Sequence, residues 1–169
     1  AWNERGKGSS NISLVLADGT MHAHISEIPS GSYKKGHRHL PGAHIFALTG
    51  TGYTLLWYEG DEEFRRVPWR HGTMYAPPFW MFHQHFNDCP VPARYLAVML
   101  GSRRYPFSVE RRDGIDKGSD TSIKEGGVQI EYRDQDPRIH EIWLKEIKAN
   151  GVTSDMGDVI DESPWRGKI

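Results

Sequence analysis

Cysteine is the scarcest residue of note. Cys89 is the only one in 169 residues, so no disulfide can close within the chain, and the composition leans towards a reducing, cytoplasmic setting. A chain of this length buries about 68–70% of its unfolded surface and needs no such staple. Excess charge of either sign is missing too: 21 Lys and Arg against 22 Asp and Glu leave a net charge of -1. Proteins that bind nucleic acid through its phosphates carry a positive surplus, so no nucleic-acid partner is expected. No apolar run approaches the roughly 20 residues that span a bilayer, so no membrane partner is expected either. The first residues hold no apolar segment of the signal-peptide kind. Disorder throughout is excluded by 37% hydrophobic and 11% aromatic residues, which point to one globular domain.

Histidine is plentiful. Eight of the nine lie between positions 22 and 85: His22, His24, His37, His39, His44, His71, His83 and His85. Only His140 stands apart. The same region is built of short apolar stretches separated by turn signals. Residues 1–11 are polar and rich in Gly and Ser, and read as an arm. Ile12 to Leu16 ends at Asp18-Gly19, and Met21 to Ile28 alternates until Pro29-Ser30-Gly31. Ile45 to Thr49 is broken by Gly50-Thr51-Gly52, and Tyr53 to Tyr58 by Glu59-Gly60-Asp61. Phe64 to Val67 stops at Pro68, Thr73 to Ala76 at Pro77-Pro78, and Phe82 to Phe86 at Asn87-Asp88. Arg94 to Leu100 reads as a core strand. This rhythm predicts an antiparallel all-β sandwich or barrel over 12–135. Residues 103–127, rich in Arg, Asp, Gly and Ser, read as a surface loop, and Val128, Ile130 and Tyr132 as one more strand. One helix is predicted in the final segment, 136–169. Asp136 suits its N-cap, Pro137 its first position, and Asn150-Gly151 its stop. Ile139, Ile142, Trp143 and Ile147 form its apolar stripe.

His37 and His39 are two apart. Alternate residues of a strand share a face, so both imidazoles can converge on one point. Imidazole is a good ligand for Zn, Fe, Cu or Ni. His83, His85 and Asn87 form a second same-face set. Two such clusters in adjacent strands supply the three or four ligands that a metal needs.

On these residues the sequence resembles the cupin family. Gly31, five residues, His37-Arg38-His39 matches the start of that family's first motif, over 31–52. Gly72, five residues, Pro78, then His83 and Asn87 matches the second, over 72–87. The resemblance implies a double-stranded β-helix, or jelly-roll barrel, around a metal ion, here with a C-terminal α-helix added. Two positions depart from it. The family's Glu is absent: one spacing puts His44 in its place, the other Ala43. His44 is preferred as the fourth ligand, on the idea that a bulge after Pro41-Gly42 re-aims it. Trp80 stands where the motif has Gly, so position 80 is not expected to need a positive φ.

The resemblance thus implies His37, His39, His44 and His83 as ligands of one divalent ion per chain. Fe(II) is favoured, with Cu, Zn, Mn or Ni as alternatives. It implies an enzyme, first of all a non-haem dioxygenase using O2 on a small organic substrate of aromatic or anionic character. A non-redox isomerase, lyase or decarboxylase is the alternative, followed by a binding or sensing module without catalysis. His85 is assigned the acid/base role. One of His22 and His24 is expected at the cavity, His71 at the surface and His140 in a structural place. Lys34, Lys35 and Arg94 are the cations considered for an anionic substrate. The family's habits also imply a homodimer.

Overall fold

The computed structural model describes residues 3–40, 42–101 and 120–169. Of the loop expected over 103–127, residues 103–119 lie outside the described residues, as do the first two residues of the chain and position 41. The strands are β1 (Ser10–Leu16), β2 (Met21–Ile28), β3 (Gly36–His37), β4 (Ala43–Thr49), β5 (Thr51–Trp57), β6 (Arg65–Arg70), β7 (Met74–Tyr75), β8 (Phe82–Asn87), β9 (Ala93–Leu100) and β10 (Gln129–Ile130). They form two five-stranded sheets, ordered β1-β2-β9-β4-β7 and β10-β3-β8-β5-β6. Every neighbouring pair is antiparallel. Neighbours in each sheet are mostly distant in sequence, which is the jelly-roll arrangement. The fold is the all-β one that the sequence implies, with one α-helix, α1 (Pro137–Ala149), near its C-terminal end among the described residues.

Local chemistry explains most boundaries. The Asp136 carboxylate accepts a hydrogen bond from the Arg138 backbone N–H at 2.8 Å, which fixes the start of α1. Ile139, Trp143 and Ile147 are buried and pack against Tyr33, Tyr53 and Phe86 on the outer side of the second sheet. Trp143 Nε1 donates to the Asn87 carbonyl at 3.0 Å, so the helix is tied as well as packed.

Four expectations need correction. Strand β6 runs through Pro68 instead of stopping before it. It is the outermost strand of its sheet, where a residue without an N–H is tolerated. The break after Ile45 to Thr49 is present but shorter than expected: Gly50 alone separates β4 from β5, and Thr51 and Gly52 already belong to β5. A Cβ at Gly52 would lie 2.0 Å from the Phe86 carbonyl oxygen and 2.4 Å from the Trp69 ring, so glycine serves close packing there. Trp80 has φ 57°, so the backbone keeps the left-handed turn although the residue is not glycine. Finally, the start of the chain is no free arm. Arg5, Gly6 and Ser9 are buried, and Gly6 bridges to Lys34.

Candidate metal centre

Strand register brings the key histidines together. His37 on β3 pairs directly with His83 on β8, and paired residues project to the same face of a sheet. That face looks into the barrel, and both side chains are buried. His39, just past the end of β3, is half-buried. The ring centroids of His37 and His83 are 4.2 Å apart, and those of His39 and His83 are 4.8 Å apart. One nitrogen from each of the three lies within 4.8 Å of the others. Metal–nitrogen bonds of about 2.0–2.1 Å require nitrogens roughly 3–4 Å apart, so closing the rings on an ion takes only a small adjustment.

The hydrogen bonds prepare the rings for this. His37 Nδ1 faces the Lys35 carbonyl at 3.3 Å, and His83 Nδ1 faces the Met81 carbonyl at 3.1 Å. A carbonyl only accepts, so each neutral ring carries its proton on Nδ1 and leaves the Nε2 lone pair free. Burial, reinforced by neighbouring cationic groups, holds both imidazoles well below their ordinary pKa. They are therefore neutral at pH 7, as ligation requires. Three neutral imidazoles with no carboxylate fit Fe, Cu, Zn or Ni better than a hard ion that seeks oxygen.

His44 is not brought to this cluster. It lies on β4 between Ala43 and Ile45, which are buried, while His44 is exposed. Strand parity alone accounts for this: no bulge intervenes between residues 43 and 47 of the pairing with β9. Ala43, the other candidate for the position of the family's Glu, is the inward-facing one.

His85 lies beside the cluster. Its ring is 5.5 Å from that of His83 and 6.2 Å from that of His37. Its Nδ1 meets the Thr54 hydroxyl at 2.8 Å and the Tyr75 hydroxyl at 3.1 Å. Hydroxyls both donate and accept, so His85 is not confined to one tautomer as His37 and His83 are. Trp69 Nε1 donates to Thr54 Oγ1 at 3.2 Å and completes the network. Asn87 stands apart from the site. Its amide bonds the carbonyls of Ile28 and Val91 and the N–H of Cys89, clamping the turn after β8.

Of the remaining histidines, His24 sits edge-on to Tyr95 with ring centroids 6.3 Å apart. Burial, with Lys34 and Arg5 nearby, pushes its pKa down to about 3. His22 bonds the Gly101 carbonyl, and exposed His71 bonds that of Leu48. His140, on the buried face of α1, meets the Tyr33 hydroxyl at 2.9 Å. Sequence reasoning missed Arg5. This residue is only 7% exposed, and its Nη1 donates to Gln129 Oε1 at 3.1 Å. Gln129 is the residue paired with His37 on β10. Among neighbours that look like a polar arm, nothing in the sequence marks this one arginine.

No family model matches the sequence, and no curated protein matches it. Solved structures do. Oxalate decarboxylase from Bacillus subtilis at pH 4.6 superposes with a TM-score of 0.52 at 16% identity, over 69% of this chain and 36% of that one. A formate complex of the Lactobacillus farciminis oxalate decarboxylase gives 0.52 at 17% identity, over 63% and 32%. The chain spans about a third of the length of these proteins. At such identities the likeness concerns the fold alone, and that fold is the cupin barrel.

Proposed function

We propose that this cupin barrel is a mononuclear metal-dependent enzyme, with His37, His39 and His83 holding one divalent ion. The observation that carries the reading is the convergence of three buried or half-buried imidazole nitrogens within 4.8 Å of one another. Bound there, a divalent ion would supply open positions for substrate oxygen and O2, and either redox or Lewis-acid chemistry between them.

The rest of the work falls to the chain's own groups. Lys35 and Met81 carbonyls fix the ligand rings. His85 is the acid/base residue, because, unlike His37 and His83, it faces groups that let Nε2 either hold a proton or accept one. Tyr75 and Thr54 replace or remove the proton on its far side. Tyr75 and Tyr95, both with phenols raised by burial, stay neutral and wall the interior. The reaction we favour is an Fe(II)-dependent dioxygenation of a small organic substrate. The second reading is non-redox, and its support is the fold neighbours. These are oxalate decarboxylases, and the Bacillus subtilis enzyme has Mn(II) centres.

Elemental mass spectrometry on protein purified without a His tag or chelator tests the metal. Near-stoichiometric iron or copper together with substrate-dependent oxygen uptake is the expected result. Stoichiometric Mn or Zn with turnover but no oxygen uptake would move the assignment to decarboxylase, lyase or isomerase chemistry. Failure to bind any metal on titration would overturn the enzyme reading. His85→Gln should keep the metal while losing turnover by about 100-fold or more, within the usual range for a general acid/base group.

A further inference from the structure

Lys34 is a lysine that does not reach solvent. It is 2% exposed, is itself the partner of Gly6 in a β-bridge, and lies within the first motif, three residues before His37. Its backbone N–H donates to the His85 carbonyl at 3.0 Å. The neighbouring Tyr33 pairs with Phe86, so Lys34 stands opposite His85 across two strands. Tyr33 and Phe86 face the helix side, which turns Lys34 and His85 to the barrel interior. The Nζ lies 3.0 Å from the Ser26 hydroxyl and 5.3 Å from the centroid of the Tyr95 ring. Tyr95 is in turn 4.9 Å from the His85 ring, centroid to centroid. Lys34 is thus linked to the three-histidine cluster through the Tyr95 and His85 rings in turn.

An ammonium in such a place normally has a carboxylate. This one has none: no carboxylate forms an ion pair with Lys34 among the described residues, and Ser26 is a neutral partner. The charged group that acts on it is the buried Arg5, a second cation, which lowers its pKa further. Asp120 acts favourably on Arg5. The family's ligand carboxylate is also missing, with Ala43 facing inwards instead. Lys34 therefore stands in the interior beside a hydroxyl, a phenol ring and the neutral imidazoles, with no carboxylate paired to it among the described residues.

We infer that Lys34 is the anchor for the anionic end of a carboxylate substrate inside the barrel, beside the Tyr95 and His85 rings. This rests on the metal-enzyme reading for the other end of the substrate, but the anchor itself is readable without it. Ser26 holds the ammonium from behind and Tyr95 walls one side. The two remaining N–H bonds are available to a carboxylate, at the strength of charge-assisted hydrogen bonds. The substrate class that fits is a compact mono- or dicarboxylate, with a flat or apolar body against Tyr75 and Tyr95.

Calorimetric titration of the protein as purified tests this, with metal content measured on the same samples. The probes are acetate, oxalate and benzoate, set against their neutral counterparts acetamide, oxamide and benzamide. At least one carboxylate should bind ten-fold or more tightly than its amide. Lys34→Met, with Lys34→Gln as a second variant, should abolish that preference without changing metal content. A merely structural lysine would instead show no preference for carboxylate over amide in the unaltered protein. That result, or a preference retained in both variants, would overturn the assignment. Absence of metal with the carboxylate preference intact would remove the metal-enzyme reading and leave the anchor standing. Metal present without the preference would do the reverse.

Discussion

Ala43 and His44 are one step apart on β4, and that step decides how many imidazoles reach the centre. Side chains alternate along a strand, so the residue that faces the interior is an alanine and the histidine emerges on the outer face beside Val98. His37→Ala or His83→Ala should therefore yield protein that loses its metal on desalting, whereas His44→Ala should keep the unaltered content; elemental analysis of the three variants decides. Lys34 carries a second expectation. Burial pushes its pKa from 10.5 down to about 7. Between those values the unfolded chain binds a proton that the folded chain does not, so stability rises with pH, by about 1.4 kcal/mol per pH unit across the window. Below about pH 7 both states are protonated and the penalty for the buried charge is present in full. His24, pushed down to about 3, gives a slope of the same sign below pH 6.5. Lys34→Met should accordingly melt above the unaltered protein at pH 7, and the gap should close by pH 10, as thermal melts across pH 6–10 would show. The residues that were legible in the sequence are those whose role is a spacing: His37, His39 and His83. Arg5 was not legible, nor was the depth at which Lys34 is buried, because burial of a charge depends on partners that no local pattern records.

Among the elements, the ones that declared themselves in advance are β2 and α1. Strand β2 opens with apolar residues at alternate positions, Met21, Ala23 and Ile25, and α1 has a cap, a proline and a stripe at helical spacing, so local signals agree with the tertiary outcome. Strands β3, β7 and β10 have two residues each. Too short to carry a period, they exist because neighbours supply their hydrogen bonds. The turn after β8 depends on one side chain. Asn87 is fully buried and satisfies two carbonyls and an N–H. Asn87→Ala strands all three, and it is expected to cost about 2–4 kcal/mol in denaturant unfolding. Trp80 shows the converse, a turn geometry maintained against its residue. A left-handed tryptophan costs of order 1–2 kcal/mol, offset in part by the Arg38 guanidinium stacked 4.9 Å from its ring centroid.

At the scale of the whole molecule, the two sheets differ in what covers them. The outer side of the second sheet lies under α1, with Trp143 fully buried. The outer side of the first sheet lies open. Ile12 is 64% exposed, Leu100 53% and Met74 59%. Ile12, Ile25, Leu96 and Phe46 run across that face as an apolar row, with the Arg94–Glu27 ion pair at its border. We propose that a second copy of the chain covers it, since a flat apolar face is its own complement across a twofold axis. Light scattering should give the mass of two chains at micromolar concentration, and Ile12→Asp should give that of one; a monomer in the unaltered protein would end the proposal. Among the described residues no helix is long and apolar enough to cross a membrane. The path of the chain also sets an order in time. Arg5 bonds Gln129, 124 residues away, and the Lys7 N–H bonds the Tyr132 hydroxyl, 125 residues away. During synthesis at about 5–20 residues per second, the opening segment waits roughly 6–25 seconds for these partners to emerge. Until then Arg5 has no Gln129 to hold it, β3 lacks its β10 neighbour, and the barrel stands unsealed on the side of its histidines. The nascent chain is therefore most exposed to proteolysis and to stray metals in the interval before residue 132 leaves the ribosome.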